Sequence, residues 1–115
     1  MAENKAEERR KLLEQEPDRY VSILKAYENP HKVIVFGSVA TGQVHEWSDI
    51  DLVIVKDTDL PFLERMREIC EIIQTRVAVE LLCYTPQEFA KLCAERRFFQ
   101  EEILEKGKVL YERAN

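Results

Sequence analysis

The chain has 115 residues, 45% of them hydrophobic and 34% charged, a balance typical of a globular protein rather than a disordered one. This length predicts one domain. Its formal net charge of −5 comes from 17 basic and 22 acidic residues. A protein that coats nucleic acid without sequence specificity is therefore disfavoured, because such a protein needs an excess of Lys and Arg on one face.

Several features bear on the cellular compartment. No apolar run approaches the roughly 20 residues that cross a membrane, and the polar start of the chain does not resemble a signal peptide. Cys70, Cys83 and Cys93 match neither a disulfide framework nor a zinc-binding pattern. We interpret them as small hydrophobic residues in a reducing compartment. We therefore expect a cytoplasmic protein that neither spans a membrane nor binds nucleic acid in general.

The first part of the chain predicts two helices within residues 1–28. Residues 3–15 are rich in Glu, Lys, Arg and Leu and predict an exposed helix. Pro17 is suited to the first turn of a second helix, over 17–27, which carries an apolar stripe through Tyr20 and Leu24. Asn29 and Pro30 end that helix.

The remainder, 32–111, alternates strands and helices. Short apolar runs predict strands over 32–36, 51–55 and 77–83, with a short edge strand over 108–111. Apolar residues three and four apart predict an amphipathic helix over 61–74, and Thr85 with Glu88 has the pattern of a capping box at the start of another. A last apolar stripe includes Phe98, Phe99, Ile103 and Leu104. The order predicts an α/β fold with a small sheet of three to four strands flanked by helices.

The loop 37–42 follows the first strand and contains two of the three glycines in the chain. A Gly37–Ser38 pair at a strand-to-helix junction can turn backbone N–H groups and a hydroxyl toward an anion. A plain tight turn capped by Ser38 is the alternative interpretation.

Two aspartates stand at the start of the second strand. Residues two apart on a strand face the same way, so Asp49 and Asp51 should project side by side. Neighbouring carboxylates repel and raise each other's pKa unless a cation lies between them. Oxygen ligands on a rigid strand suit Mg²⁺. Alternatively, these are solvated acids at a strand entrance, with Ser48 or Asp49 serving a turn.

Glu80 is a third acid, within the apolar run 77–83. An unpaired carboxylate in a buried strand costs several kcal/mol, which a metal site would relieve. If the third strand lies beside the second, Glu80 can join Asp49 and Asp51. Otherwise it lies on a solvated face or pairs with a residue such as Arg76.

Together, these motifs resemble a known signature. Phe36-Gly37-Ser38, Gly42 and 48–52 are similar to the motif of the polymerase-beta-like nucleotidyltransferases, and the short chain is similar to the minimal members of that superfamily. The resemblance covers about 33–111 and implies a mixed sheet like the polymerase-beta palm, serving as the catalytic core.

The resemblance implies Mg²⁺-dependent transfer of a nucleoside monophosphate, with AMP from ATP favoured. Gly37, Ser38 and Ser48 would then bind the nucleotide, while Asp49, Asp51 and Glu80 would be catalytic and hold two Mg²⁺ ions. Two metals of this kind clamp the entering and leaving oxygens of a phosphoryl transfer.

The chain departs from the family pattern at three points, the third being that no separate substrate-recognition domain is expected. Many relatives carry Arg within the loop where residues 39–41 are Val-Ala-Thr, and Glu80 is one methylene longer than the usual Asp. The acceptor surface is expected to come from a partner or a second copy. Minimal members often accompany a helical HEPN-type protein, which some modify as antitoxins. The alternative is a non-catalytic, antitoxin-like module that masks a helical partner by contact.

Overall fold

The structure is a computed structural model that describes residues 2–45 and 47–114. Its nine elements follow in chain order: α1 (Ala2–Tyr27), β1 (Lys32–Phe36), α2 (Ser38–Thr41), β2 (Ile50–Val55), α3 (Phe62–Ile73), β3 (Val79–Tyr84), α4 (Pro86–Glu95), α5 (Phe99–Glu105) and β4 (Lys108–Glu112). Of these, α5 is a wide helix of the π type. The capping box at Thr85 and Glu88 is present, so that prediction is confirmed.

The four strands form one mixed sheet in the order β3–β2–β1–β4. Strand β1 runs antiparallel to both β2 and β4, whereas β2 and β3 are parallel. The predicted fold class, a small mixed sheet flanked by helices, is confirmed, and β4 is the expected short edge strand. The first two strands match the predicted bounds within one residue, and β3 begins two residues later than predicted.

Each face of the sheet packs against its own set of helices. On one face α1 and α3 bury an apolar cluster that includes Leu24 and Ile69. On the other face α4 and α5 contribute Phe89, Phe99 and Ile103 to a second cluster. Burying both faces explains why the central strands are almost continuously apolar.

The prediction of two N-terminal helices is wrong, because α1 runs unbroken through Pro17. Proline lacks the N–H that would donate to the carbonyl of Leu13 and normally interrupts a helix interior. Here Leu13, Tyr20 and Leu24 on the same helix are fully buried. Their packing against the sheet outweighs the local cost, as tertiary contacts commonly do.

An ion pair with a buried carboxylate joins α1 to the rest of the fold. Glu16, only 2% exposed, accepts hydrogen bonds from the Arg19 guanidinium, the Tyr20 hydroxyl and the backbone N–H of Arg76. Arg19 in turn donates to the carbonyl of Ile73 at the end of α3. This network connects α1 to the segment that leads into β3.

Among the described residues, none of the helices combines the length and apolar character needed to cross a bilayer.

Candidate active site

Asp51 and Glu80 are neighbours on adjacent strands. The parallel pairing of β2 and β3 sets Asp51 opposite Glu80, so both side chains leave the same face of the sheet. Partial burial of Asp51, followed by the negative charges of Glu80 and Asp49, raises the pKa of Asp51 to about 6. The charges of Glu80 and Asp49 therefore lie close enough to oppose the ionisation of Asp51.

Gly37 closes the other side of the Asp51 carboxylate. Its φ of 72° and ψ of −153° lie in a backbone region that essentially only glycine adopts. A Cβ built at Gly37 would overlap the carboxylate of Asp51. Phe36, the residue before it, lies opposite Asp51 in the antiparallel pairing with β2. The loop and the acid thus fit together only because residue 37 has no side chain.

Ser38 opens α2, which is a single turn, so the helix behind the loop is shorter than a phosphate-binding helix usually is. The N–H groups of Ala40 and Thr41 donate to the Gly37 carbonyl. Ser38 is half-buried, beside the glycine that contacts Asp51. A contact between its hydroxyl and a bound nucleotide stays a prediction.

Ser48 lies in the loop before β2 and is 5% exposed. Its hydroxyl accepts from the backbone N–H of His45 at 3.0 Å, and its own N–H donates to the His45 carbonyl at 2.9 Å. The side chain therefore stabilises the turn that leads to Asp49, the alternative that the sequence left open, and a direct nucleotide contact from it stays a prediction.

The prediction that Glu80 lies in a buried strand is wrong. Glu80 is exposed, whereas Leu81 and Cys83, on the opposite face of β3, are buried. Because β3 is an edge strand, its apolar sequence does not imply burial on both faces. The significance of Glu80 comes instead from its position beside Asp51.

The donor chemistry of the three acids suits a hard cation, because Mg²⁺ prefers carboxylate oxygens. In the part of the chain that the structure describes, no three His, Cys, Asp or Glu side chains already form a cluster that could enclose a metal. Asp49 lies just before β2, is exposed, and acts on Asp51 through its charge. By donor chemistry these residues fit a metal site, and of the three acids the sheet register brings Asp51 and Glu80 together as direct neighbours.

An aromatic side chain near the acids, Phe98, is one that the residue pattern indicates only as part of an apolar stripe. Phe98 is 48% exposed, and its ring meets that of Phe36 edge to face at a centroid distance of 5.9 Å. The contact depends on how α5 packs on the sheet, so residue spacing alone carries no signal for it.

A pocket of about 370 Å³ lies away from the acids. It is lined in part by Phe62, Tyr84 and Leu92, at the carboxyl end of β3. Glu80 belongs to the amino end of the same strand. The acidic site is therefore distinct from this concave surface.

Comparison with known proteins identifies the family. The family model described as "Polymerase beta, Nucleotidyltransferase" matches residues 19–115. A protein from Methanocaldococcus jannaschii, provisionally named a protein adenylyltransferase, is 33% identical over 82 residues, which cover 70% of this chain and 77% of that protein. The chain therefore belongs to the polymerase beta nucleotidyltransferase family, as the resemblance implied, and it is a nucleotidyltransferase.

Two crystal structures share the fold. One, provisionally described as a nucleotidyltransferase from Sulfolobus solfataricus, has a TM-score of 0.63 and 19% identity. The match covers 95% of this chain and 88% of that protein. The other, a toxin–antitoxin with AMP-PNP, has a TM-score of 0.53 and 19% identity, covering 86% and 74%. At this identity the likeness extends to the fold alone.

Proposed function

We propose that the protein transfers AMP from ATP, with Mg²⁺, onto a hydroxyl of a partner protein. The observation that carries the proposal is the Asp51–Glu80 pair held against Gly37, where partial burial and the neighbouring charges raise the pKa of Asp51 to about 6. A site that destabilises its own carboxylates is suited to binding a cation, since the cation relieves the repulsion.

Each residue has a part in the reaction. Backbone N–H groups after Gly37 and the Ser38 hydroxyl would hold the triphosphate. Asp49, Asp51 and Glu80 would hold Mg²⁺, which when bound lowers the pKa of an attacking hydroxyl and neutralises triphosphate charge. Glu80 is exposed and can accept the proton of that hydroxyl. An oxygen–phosphorus bond to the acceptor forms as the bond between the α-phosphorus and pyrophosphate breaks.

One relative supports a protein acceptor, and one fold neighbour supports a toxin–antitoxin setting. The Methanocaldococcus jannaschii homologue carries the name of a protein adenylyltransferase. The fold neighbour with AMP-PNP belongs to a toxin–antitoxin. We therefore propose a toxin as the partner, of the helical HEPN type, and an antitoxin role in which AMP transfer inactivates it.

The test uses a HEPN-type helical protein as the proposed partner. Incubation with ATP and Mg²⁺, followed by intact-mass spectrometry, is expected to show addition of AMP to the partner. Asp49→Asn and Asp51→Asn should abolish the addition, while Asp59→Asn, an exposed acid outside the site, should leave it intact.

Two results would contradict this function. If both site variants transfer AMP as well as the wild type does, the carboxylates of Asp49 and Asp51 are not needed for the reaction. Neutralisation of the partner without any modification would instead favour the non-catalytic module that acts by contact.

A further inference from the structure

Phe98 is a partly exposed aromatic residue on the same face of the sheet as the acids. Its partner ring, Phe36, stands opposite Asp51 in the β1–β2 register and directly precedes Gly37. Paired residues on antiparallel strands have Cα atoms about 5 Å apart. One ring-to-ring contact and one strand spacing therefore separate Phe98 from the carboxylate.

The Phe98 ring is held in place by other aromatic rings. It meets Phe36 at 5.9 Å and 88°, and Phe99 at 5.7 Å and 80° between ring planes. Both contacts are edge-to-face, an arrangement that aromatic pairs favour. Phe99 is itself 8% exposed and belongs to the core cluster of that face. A buried framework thus orients Phe98 while about half of its surface stays open.

A second exposed aromatic, Trp47, lies two residues before Asp49, but it is 78% exposed in a loop. Because so little of the Trp47 side chain packs against the protein, ordering it around a ligand would cost conformational entropy. Phe98 has already been ordered by its neighbours, so it is the better platform for a planar group.

We propose that Phe98 stacks on the nucleobase of the bound nucleoside triphosphate. The inference rests on the proposed function, because it places the triphosphate at the loop that begins with Gly37. From there the sugar and base extend past Asp51 toward a neighbouring apolar surface, which Phe98 supplies. Stacking accepts any base, since every base has a π-face, so this contact strengthens nucleotide binding without selecting the base.

The test compares two probes in the presence of Mg²⁺, AMP-PNP and inorganic tripolyphosphate, by isothermal titration calorimetry. Only AMP-PNP has a base. Phe98→Ala is expected to weaken AMP-PNP binding by about 5- to 150-fold, the range for one lost base stack, and to leave tripolyphosphate binding within twofold. Phe98→Tyr retains the stacking surface and should bind both probes like the wild type.

Two further variants separate stacking from packing. Leu104→Ala removes a side chain on α5 that is 50% exposed, much like Phe98, and should alter neither affinity. Phe98→Leu keeps apolar bulk against Phe36, so it preserves the fold if Phe98→Ala does not, and should still weaken AMP-PNP selectively.

The outcomes distinguish the inference from the function beneath it. If the wild type binds AMP-PNP and Phe98→Leu binds it equally well, the stacking role is overturned and the proposed function stands. Equal loss of both probes in Phe98→Leu would also overturn it, because Phe98 would then be supporting the loop. If the wild type binds neither probe, the proposed triphosphate site fails and the inference fails with it.

Discussion

The carboxylate of Asp51 occupies the space that a side chain at Gly37 would need. The requirement for glycine therefore comes from two directions, the backbone angles of the loop and the acid packed against it. In a nucleotidyltransferase of this family, that contact couples the proposed triphosphate loop to a proposed metal ligand.

Substitution of Gly37 should disturb both stability and activity. Gly37→Ala forces a non-glycine residue into a strained backbone region, which costs about 1–3 kcal/mol, and also displaces Asp51. We expect a lower melting temperature together with loss of nucleotidyl transfer.

Gly42→Ala is the matched control. Gly42 also has a positive φ, 79°, but a Cβ there meets nothing within 4 Å. Its left-handed backbone should cost about 1–2 kcal/mol, and transfer should persist below the melting temperature. Equal activity of the two variants would show that the Gly37–Asp51 contact does not matter.

Asp51→Asn should stabilise the metal-free protein while it abolishes transfer. Because the folded pKa of Asp51 is about 6 and the ordinary value is 3.8, the folded state loses stability as Asp51 ionises. The variant's advantage should be absent below pH 3.8, grow as the pH rises to about 6, and then level off. We expect about 1 kcal/mol at the plateau after allowance for solvent screening.

Urea unfolding of wild type and Asp51→Asn across this pH range, without divalent metal, measures the difference. If the variant is less stable than the wild type at pH 7, the Asp51 carboxylate makes favourable contacts. That result would contradict the unfavourable burial and charge repulsion inferred for Asp51.

Glu80→Gln should lower the pKa of Asp51. Glu80 supplies the largest of the charge effects that raise it, so removing the negative charge should move the pKa toward 3.8 while partial burial keeps it above that value. Carbon-detected NMR titration of the Asp51 carboxyl reports the shift. As a control, Glu71→Gln, at an exposed acid on α3, should leave the pKa of Asp51 unchanged. If Glu80→Gln also leaves that pKa unchanged, the charge of Glu80 does not act on Asp51.

Glu16→Gln should destabilise the fold away from the site. The variant breaks an ion pair whose carboxylate is buried and whose guanidinium is partly exposed, so we expect a loss below the ~3–5 kcal/mol typical of a fully buried pair. Glu14→Gln on the exposed side of α1 should cost little. Hydrogen bonds from Arg19 hold the pKa of Glu16 below 4.5. Its contribution is thus complete above pH 4.5 and lost as the pH falls through the folded pKa.

Thermal unfolding at several pH values tests this. The gap between wild type and Glu16→Gln should narrow in acid, and a gap independent of pH would exclude the charged pair as its origin.

Local sequence was sufficient for much of the fold. The order of strands and helices followed from apolar spacing, and the edge strand β4 lies beyond Gly107 as expected. Asp51 and Glu80 can be neighbours only if β2 and β3 are adjacent. The sequence left that adjacency open, and the parallel register of the two strands satisfies it.

Other features were beyond local sequence because distant packing decides them. Pro17 is tolerated within α1 since its neighbours are buried against the sheet. Glu80 is exposed since β3 lies at an edge, and an apolar run does not distinguish an edge strand from a central one. The position of Phe98 over Phe36 depends on the path of α5 across the sheet.

The most direct test of the central claim is a crystal structure with Mn²⁺ and AMP-PNP, with data collected for anomalous scattering from manganese. We expect an anomalous peak ligated by the carboxylates of Asp51 and Glu80, with Asp49 drawn in and the triphosphate against the loop at Gly37 and Ser38. Ordered AMP-PNP whose metal lies away from Asp51 and Glu80 would contradict the account.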